Sequence, residues 1–388
     1  MESCSRKKVI GFVCTSDPIR NREAWSGTPY KMREAIENAG YEVKWIKVQP
    51  NKILFKLIRF LFRRLLRIHH MELSGFYGWL RARSASMDDI RKCDFLLIYF
   101  DWRLVKYLQS RASKLPPFIY YSDTSYRLML DYYWFNIPQW INHQTDALEN
   151  YATNESALVV KSSEWARESA VCDYGCPKEK TAVLEFGANL DEDDIVETEP
   201  YKAGKLHILC LAVEWKRKGC DIAIETVKLL NEDGILAKLF LVGLDKINIP
   251  SEYQNLEFVE YVGYLNKNQP HQYKKLIEVI SNSHCLLLPT QAECSAIVFC
   301  EAAAFGLPSF TYDTGGLGNY VINGETGYRL NMNSSAEDFA HVIKRTVINN
   351  EFERLHRGAL DLYNEKLNWG VWSQRFADMM ESKTCFLN

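Results

Sequence analysis

The sequence predicts an α/β chain built from two doubly wound domains, and three observations carry that expectation. Short apolar runs, such as those at residues 8–14 and 285–288, alternate with stretches of helical composition. An acidic run at 191–199 interrupts this rhythm near mid-chain, and the rhythm restarts at residue 205. The chain has 388 residues, of which 47% are hydrophobic, which is too long for one ordinary domain and enough for two cores.

Residues 8–14 read as the first strand, apolar enough to be buried on both faces. The loop TSDPIRNREAWSG follows. Thr28 and Pro29 then read as an N-cap and first helical residue, with Gly40 closing the helix. Residues 41–48 complete a βαβ start. Gly27 stands in the first loop just before a helix N-terminus, where a residue without a Cβ lets backbone approach a ligand closely. The same glycine could serve only the turn.

Residues 52–67, KILFKLIRFLFRRLLR, carry Lys52, Lys56, Arg59, Arg63 and Arg67 at spacings of four, three, four and four. On a helix these form one cationic stripe beside leucines, isoleucines and phenylalanines. The segment is too short and too charged to span a bilayer, and suits a helix lying in an anionic membrane interface. A helix docked on its own domain is the plainer alternative. The aromatic GFYGWL follows at 75–80.

Further strands are expected at 95–99, 118–121, 158–161 and 182–184, with Ser163 capping a helix. Asp123 falls on the loop after one of these strands, where ligands of open α/β sheets bind, or else caps the next helix. The domains are expected at 1–190 and 204–360, facing each other across a cleft. Residues 191–203 would form an acidic linker, and residues 361–388 a helix packing back on the first domain. Asp191-Glu192-Asp193 has the D-x-D pattern of metal-dependent sugar transferases, but it lies in this linker-like run and closes no strand. No metal and no cofactor are expected.

Charge divides the chain. Residues 1–115 hold 23 Lys and Arg against 11 Asp and Glu, whereas the remainder holds 24 against 38. Such asymmetry suits a basic half that meets something anionic. No nucleic-acid partner is expected. No run of 18 uncharged apolar residues exists, no signal-peptide pattern follows Met1, and eleven scattered cysteines include no C-x-x-C. The expectation is a cytoplasmic protein with reduced thiols, peripheral to a membrane's inner face if the basic helix binds it.

Two features of the second half point to a phosphorylated ligand. Trp215-Lys216-Arg217-Lys218-Gly219 lies between a strand and a helix N-terminus, which sets cations and backbone N–H groups beside an anion. Residues 284–330 then read strand, proline, loop, Ala-rich helix, glycine C-cap and strand, with Glu293 on the loop and Glu301 in the helix as E-x7-E. A carboxylate can accept hydrogen bonds from two adjacent sugar hydroxyls.

The string PTQAECSAIVFCEAAAFGLPSFTYDTGG, with NGETGY after it, resembles the E-x7-E region of glycosyltransferase family 4, retaining enzymes of the GT-B fold. Looser similarity extends to KSSEWARESAV, EFGAN, WKRKG and LNWGVW. The resemblance implies that Glu301 binds the ribose of a nucleotide-sugar donor. It implies that Glu293 and the backbone of Ser295, Ala296, Ile297 and Val298 hold the donor sugar. Lys218, helped by Arg217, would neutralise the diphosphate, and Gly27 would let the first domain's loop approach the donor's phosphates.

The sequence also departs from the family's pattern. Val213 stands where many members have arginine, Glu293-Cys294-Ser295-Ala296 replaces E-G-F-G, and Gly318-Asn319 replaces a P-E pair. None of His69, His70 or His143 has the strand-end context of the family's cleft histidine, and Asp123 is the stand-in. The implied activity is a retaining hexosyl transfer in cell-surface polysaccharide biosynthesis. Its donor would be a nucleotide-diphosphate sugar, UDP favoured over GDP, and its acceptor a glycan or lipid-linked saccharide. A nucleotide-sugar epimerase, a phosphorylase, or a silent sugar-nucleotide-binding scaffold are the alternatives.

Overall fold

The computed structural model describes residues 6–65, 67, 70–295 and 297–387, apart from the side chains of Lys52, Leu54 and Leu65. The chain divides into two compact units, residues 1–184 with 373–388, and residues 185–372.

The first unit holds a six-stranded parallel sheet of β1 (Val9–Cys14), β2 (Glu42–Lys47), β3 (Phe95–Tyr99), β4 (Phe118–Ser122), β5 (Leu158–Lys161) and β6 (Thr181–Val183). Their order is β2-β1-β3-β4-β5-β6. β1, β3, β4 and β5 are buried along their whole length, which explains their unbroken apolar runs. Each buried Leu, Ile, Val or Phe in such strands contributes roughly 1.5–3 kcal/mol.

The second unit holds β7 (Leu206–Leu211), β8 (Ala237–Val242), β9 (Val259–Gly263), β10 (Cys285–Leu288), β11 (Ser309–Tyr312) and β12 (Gly327–Leu330). This sheet is also parallel, in the order β12-β11-β10-β7-β8-β9. In each sheet the chain first builds to one side and then crosses to the other. The reversal falls between β1 and β3 in the first unit and between β7 and β10 in the second. The loops leaving those strands lie at the carboxyl edge of the switch point, where ligands of such sheets bind.

Three local expectations are corrected. Residues 191–203 are no free linker, since they lie in the second unit. There the Asp191 N–H donates to the Tyr273 hydroxyl oxygen (2.8 Å), and Thr198 donates to the Phe305 carbonyl (2.7 Å). The return to the first unit begins at residue 373 rather than 361. Ala359, Leu362 and Leu367 belong to the second core, while Ser373 bonds the Ala35 carbonyl (2.8 Å). Finally, the helix Thr28–Asn38 is capped by Gly27, and the Thr28 hydroxyl turns back to the Trp25 carbonyl (2.8 Å).

The basic stretch forms a helix, Lys52–Phe60, followed by a wider π-turn, Leu61–Leu65. Phe55, Ile58 and Phe62 pack against Met71, Tyr77 and Ile141. Ile53, Leu57, Phe60 and Leu61 face outward beside exposed Lys56, Arg59 and Arg63. The docked face and the outward apolar row therefore coexist. A cavity of about 360 Å³ lies beneath, bounded by Arg59, Arg63, His70, Tyr77 and Phe135.

Candidate functional site

In the second unit, the loops after β7 and β10 meet at the strand-order reversal. The β7 loop ends at Gly219, whose φ of +65° favours glycine, and the helix Cys220–Glu232 starts there. A Cβ at Gly219 would lie 2.1 Å from the Pro289 carbonyl oxygen, so the two loops touch through backbone. The Gln291 N–H donates to the Arg217 carbonyl (2.7 Å), which fixes the pair.

This contact brings Lys218 onto Glu293. The Lys218 ammonium donates to Glu293 Oε2, and both residues are about nine-tenths buried. Arg217 grips Glu214 with two hydrogen bonds (2.6 and 3.1 Å), donates to the Ala292 carbonyl (3.0 Å) and lies 3.6 Å from Glu293. Two cations and two carboxylates so occupy one corner beside a helix N-terminus. In such a low-dielectric corner they act more strongly than in water.

Glu301 lies in the buried helix Ile297–Ala304, and only 3% of it is exposed. Its Oε1 accepts from Lys267, which comes from the loop leaving β9 and also reaches the Asn189 carbonyl (3.4 Å). Asn189 is held in turn by the Trp369 indole N–H (3.1 Å). A buried carboxylate needs such partners, because an unpaired charge there would cost several kcal/mol, on the order of 3–5. The structure thus unites Lys218, Arg217 and Glu293, and sets Ser295, Ile297, Val298 and Glu301 on the segment that follows. Ala296 lies outside the described residues.

Lys267 has no sequence signal. Lys267 lies 34 residues before its partner, in an ordinary polar loop. EFGAN pointed toward Asn189 only as a string; the contact to Trp369, 180 residues on, had to come from folding.

Gly27 and Asp123 belong to the first unit. Gly27 (φ +93°) completes three consecutive left-handed residues after Trp25 and Ser26. Asp123 is half-buried on the loop leaving β4. Beneath that loop, Lys161 is wholly buried and donates to Ser122 Oγ (2.7 Å) and the Thr124 carbonyl (2.8 Å). Glu149, also wholly buried, lies 3.7 Å away and accepts from the Tyr120 hydroxyl (2.8 Å). Burial pushes Lys161 below its usual pKa against the pull of Glu149 and Asp123, and pushes Glu149 above its own. This polar cluster braces the Asp123 loop. Among the described residues no group of three or more His, Cys, Asp or Glu could hold a metal ion.

Residues 191–358 match the family model of glycosyl transferases group 1. WcaL of Escherichia coli (strain K12), assigned to colanic acid biosynthesis as a glycosyltransferase, is 24% identical over 208 residues, covering 50% of this chain and 48% of that one. The chain therefore spans about half the length of this curated relative. Among solved structures, sucrose-phosphate synthase from Thermosynechococcus elongatus superposes with a TM-score of 0.66 at 17% identity, over 98% of this chain and 100% of that one. Anabaena HepE in complex with UDP-glucose gives 0.62 at 15%, over 96% and 99%. The fold is that of the GT-B glycosyltransferases, and residues 191–358 are similar to the group 1 glycosyl transferases.

Proposed function

We propose that this protein is a retaining glycosyltransferase that moves a hexose from a nucleotide-diphosphate sugar, most simply a UDP-sugar, to a glycan or lipid-linked saccharide of a cell-surface polysaccharide. The observation that carries this reading is the corner formed by Lys218, Arg217 and Glu293, with Glu301 on the helix that follows. The UDP-glucose complex of HepE and the colanic acid assignment of WcaL support the donor and the product class.

In this reading Glu301 accepts the ribose hydroxyls and Lys267 holds the carboxylate in place. Lys218 and Arg217, with the N-terminus of Cys220–Glu232, stabilise the diphosphate as its charge grows on leaving. These cations do the work that a metal ion does in other transferases. Glu293 and the backbone of Ser295, Ile297 and Val298 hold the sugar. The bond from the anomeric carbon to phosphate breaks, and the acceptor oxygen attacks on the same face. The acceptor proton passes to the departing diphosphate, so no acid/base carboxylate pair is needed. Glu293 shares Lys218 with the diphosphate, which couples sugar position to leaving-group charge. Asp123, on the first unit, serves the acceptor. The outward row of Ile53, Leu57, Phe60 and Leu61, with Lys56, Arg59 and Arg63, rests on an anionic membrane surface where a lipid-linked acceptor would lie.

A thermal-shift screen of UDP-, GDP- and ADP-sugars tests the donor assignment, because a ligand that binds only the folded state raises its melting temperature. UDP-sugars should raise it, and Lys218→Ala and Glu301→Ala should abolish the shift. A screen in which no nucleotide sugar stabilises the wild type would refute the reading.

A further inference from the structure

The loop after β1 and the first residue after β3 leave the first sheet on either side of its strand-order reversal. Trp25 comes from that loop, and Phe100 directly follows β3. Their rings stack with centroids 5.0 Å apart and planes 12° from parallel. Both residues have left-handed backbones, Trp25 at φ +52° and Phe100 at φ +63°. Ser26 and Gly27 continue the left-handed run. For a bulky aromatic residue this conformation is an outlier, and strain of that kind persists only where the surroundings impose it. The surroundings do impose it. The Phe100 N–H is tied to the Tyr121 carbonyl (2.9 Å), and the Trp25 carbonyl accepts from the Thr28 hydroxyl (2.8 Å).

The result is unusual for a tryptophan. Its indole stacks on Phe100, yet the residue remains 60% exposed. Two strained residues so present a flat, rigid, apolar surface at the switch point, where α/β sheets bind ligands. Polar groups flank it. Tyr99, next in chain to Phe100 and edge-on to its ring (centroids 4.3 Å apart), lies in the field of Asp123.

We propose that Trp25, backed by Phe100, is the stacking platform for a pyranose ring of the acceptor saccharide. A pyranose has one face of C–H groups, which are apolar and slightly positive, and an edge of hydroxyls. An exposed indole suits the first, and a neighbouring carboxylate suits the second. The donor's proposed anchors, Glu301 and Lys218, are on the other sheet, which leaves this switch point for the second reactant. The inference rests on the glycosyl-transfer reading for the word acceptor, but not for the binding itself.

The test uses full-length protein labelled with 5-fluorotryptophan, the Trp25 resonance being assigned by its loss in Trp25→Phe. Methyl α- and β-glycosides of glucose, galactose, mannose and N-acetylglucosamine are titrated to 100 mM, and UDP separately. At least one glycoside should shift the Trp25 resonance saturably, while UDP leaves it unmoved. Trp25→Leu should weaken that glycoside's binding about tenfold, the scale of a lost aromatic stack. Trp25→Phe should recover most of it, since a planar ring is restored. UDP affinity should stay unchanged in both variants. The proposal is overturned if no glycoside moves Trp25, if UDP moves it instead, or if leucine serves as well as phenylalanine. Failure of the glycosyl-transfer reading has a separate signature, wild type that binds no nucleotide sugar whatever Trp25 does.

Discussion

Removing the Glu301 carboxylate tests the donor assignment most directly, because its proposed ligand atoms can be removed too. Glu301 is 3% exposed, and Lys267 engages Oε1. A charged acceptor contributes about 1.5–3 kcal/mol for each hydrogen bond it receives. Two ribose hydroxyls at the lower figure give about 3 kcal/mol, or roughly 150-fold in Kd. The assay is calorimetric titration of wild type and Glu301→Ala with UDP and with 2′,3′-dideoxyuridine diphosphate. Wild type should prefer UDP by roughly two orders of magnitude, and Glu301→Ala should bind both ligands weakly and alike. The comparison cancels any general loosening of the fold, including the strain of leaving the Lys267 ammonium without its carboxylate. If the dideoxy ligand is penalised as heavily in the variant as in wild type, another group reads the ribose and the assignment is wrong.

Three further predictions address stability and surface. Lys161→Met should cost about 3–5 kcal/mol in urea unfolding, because it strands the buried Glu149 charge; adding Glu149→Gln, which keeps an acceptor for Tyr120, should restore much of the loss, and equal instability of single and double variants would show that the pair is not the cause. Burial and the stacked His207 ring lower His284 to about 4 from its ordinary 6.5. As pH falls the unfolded chain takes up that proton first, so the stabilisation is present above about 6.5 and is lost progressively down to about 4. His284→Asn should flatten the wild-type decline in urea midpoint over that window, and an unchanged slope would count against it. Liposomes containing anionic lipid should co-sediment the wild type, less so at high salt, whereas Lys56→Glu, Arg59→Glu and Arg63→Glu combined should remain in solution; equal sedimentation would sink the membrane assignment.

Much of this protein was legible in its sequence because its signals are local. Parallel strands buried on both faces have to be apolar runs, so 285–288 reads as a strand with the bounds the structure gives it. The Gly306 position followed from what a helix end requires of backbone. The first helix's cap was misread because threonine and proline favour those positions on average. Here the left-handed turn at Trp25 drew the Thr28 hydroxyl backward instead. The acidic run was misread because composition reports solubility, and the bonds that tie it to Tyr273 and Phe305 come from distant segments.

By itself, then, the sequence determined two parallel α/β layers and the order of the loops that carry Lys218, Glu293 and Glu301. Backbone preference and apolar periodicity act over a few residues and leave their mark in the chain. Tertiary structure alone decided that Lys218 meets Glu293, that Lys267 meets Glu301, and that Trp25 stacks on Phe100. Each of those contacts joins segments that follow different strands. Their meeting depends on strand order, which is set by how each whole layer buries its faces and by no local pattern.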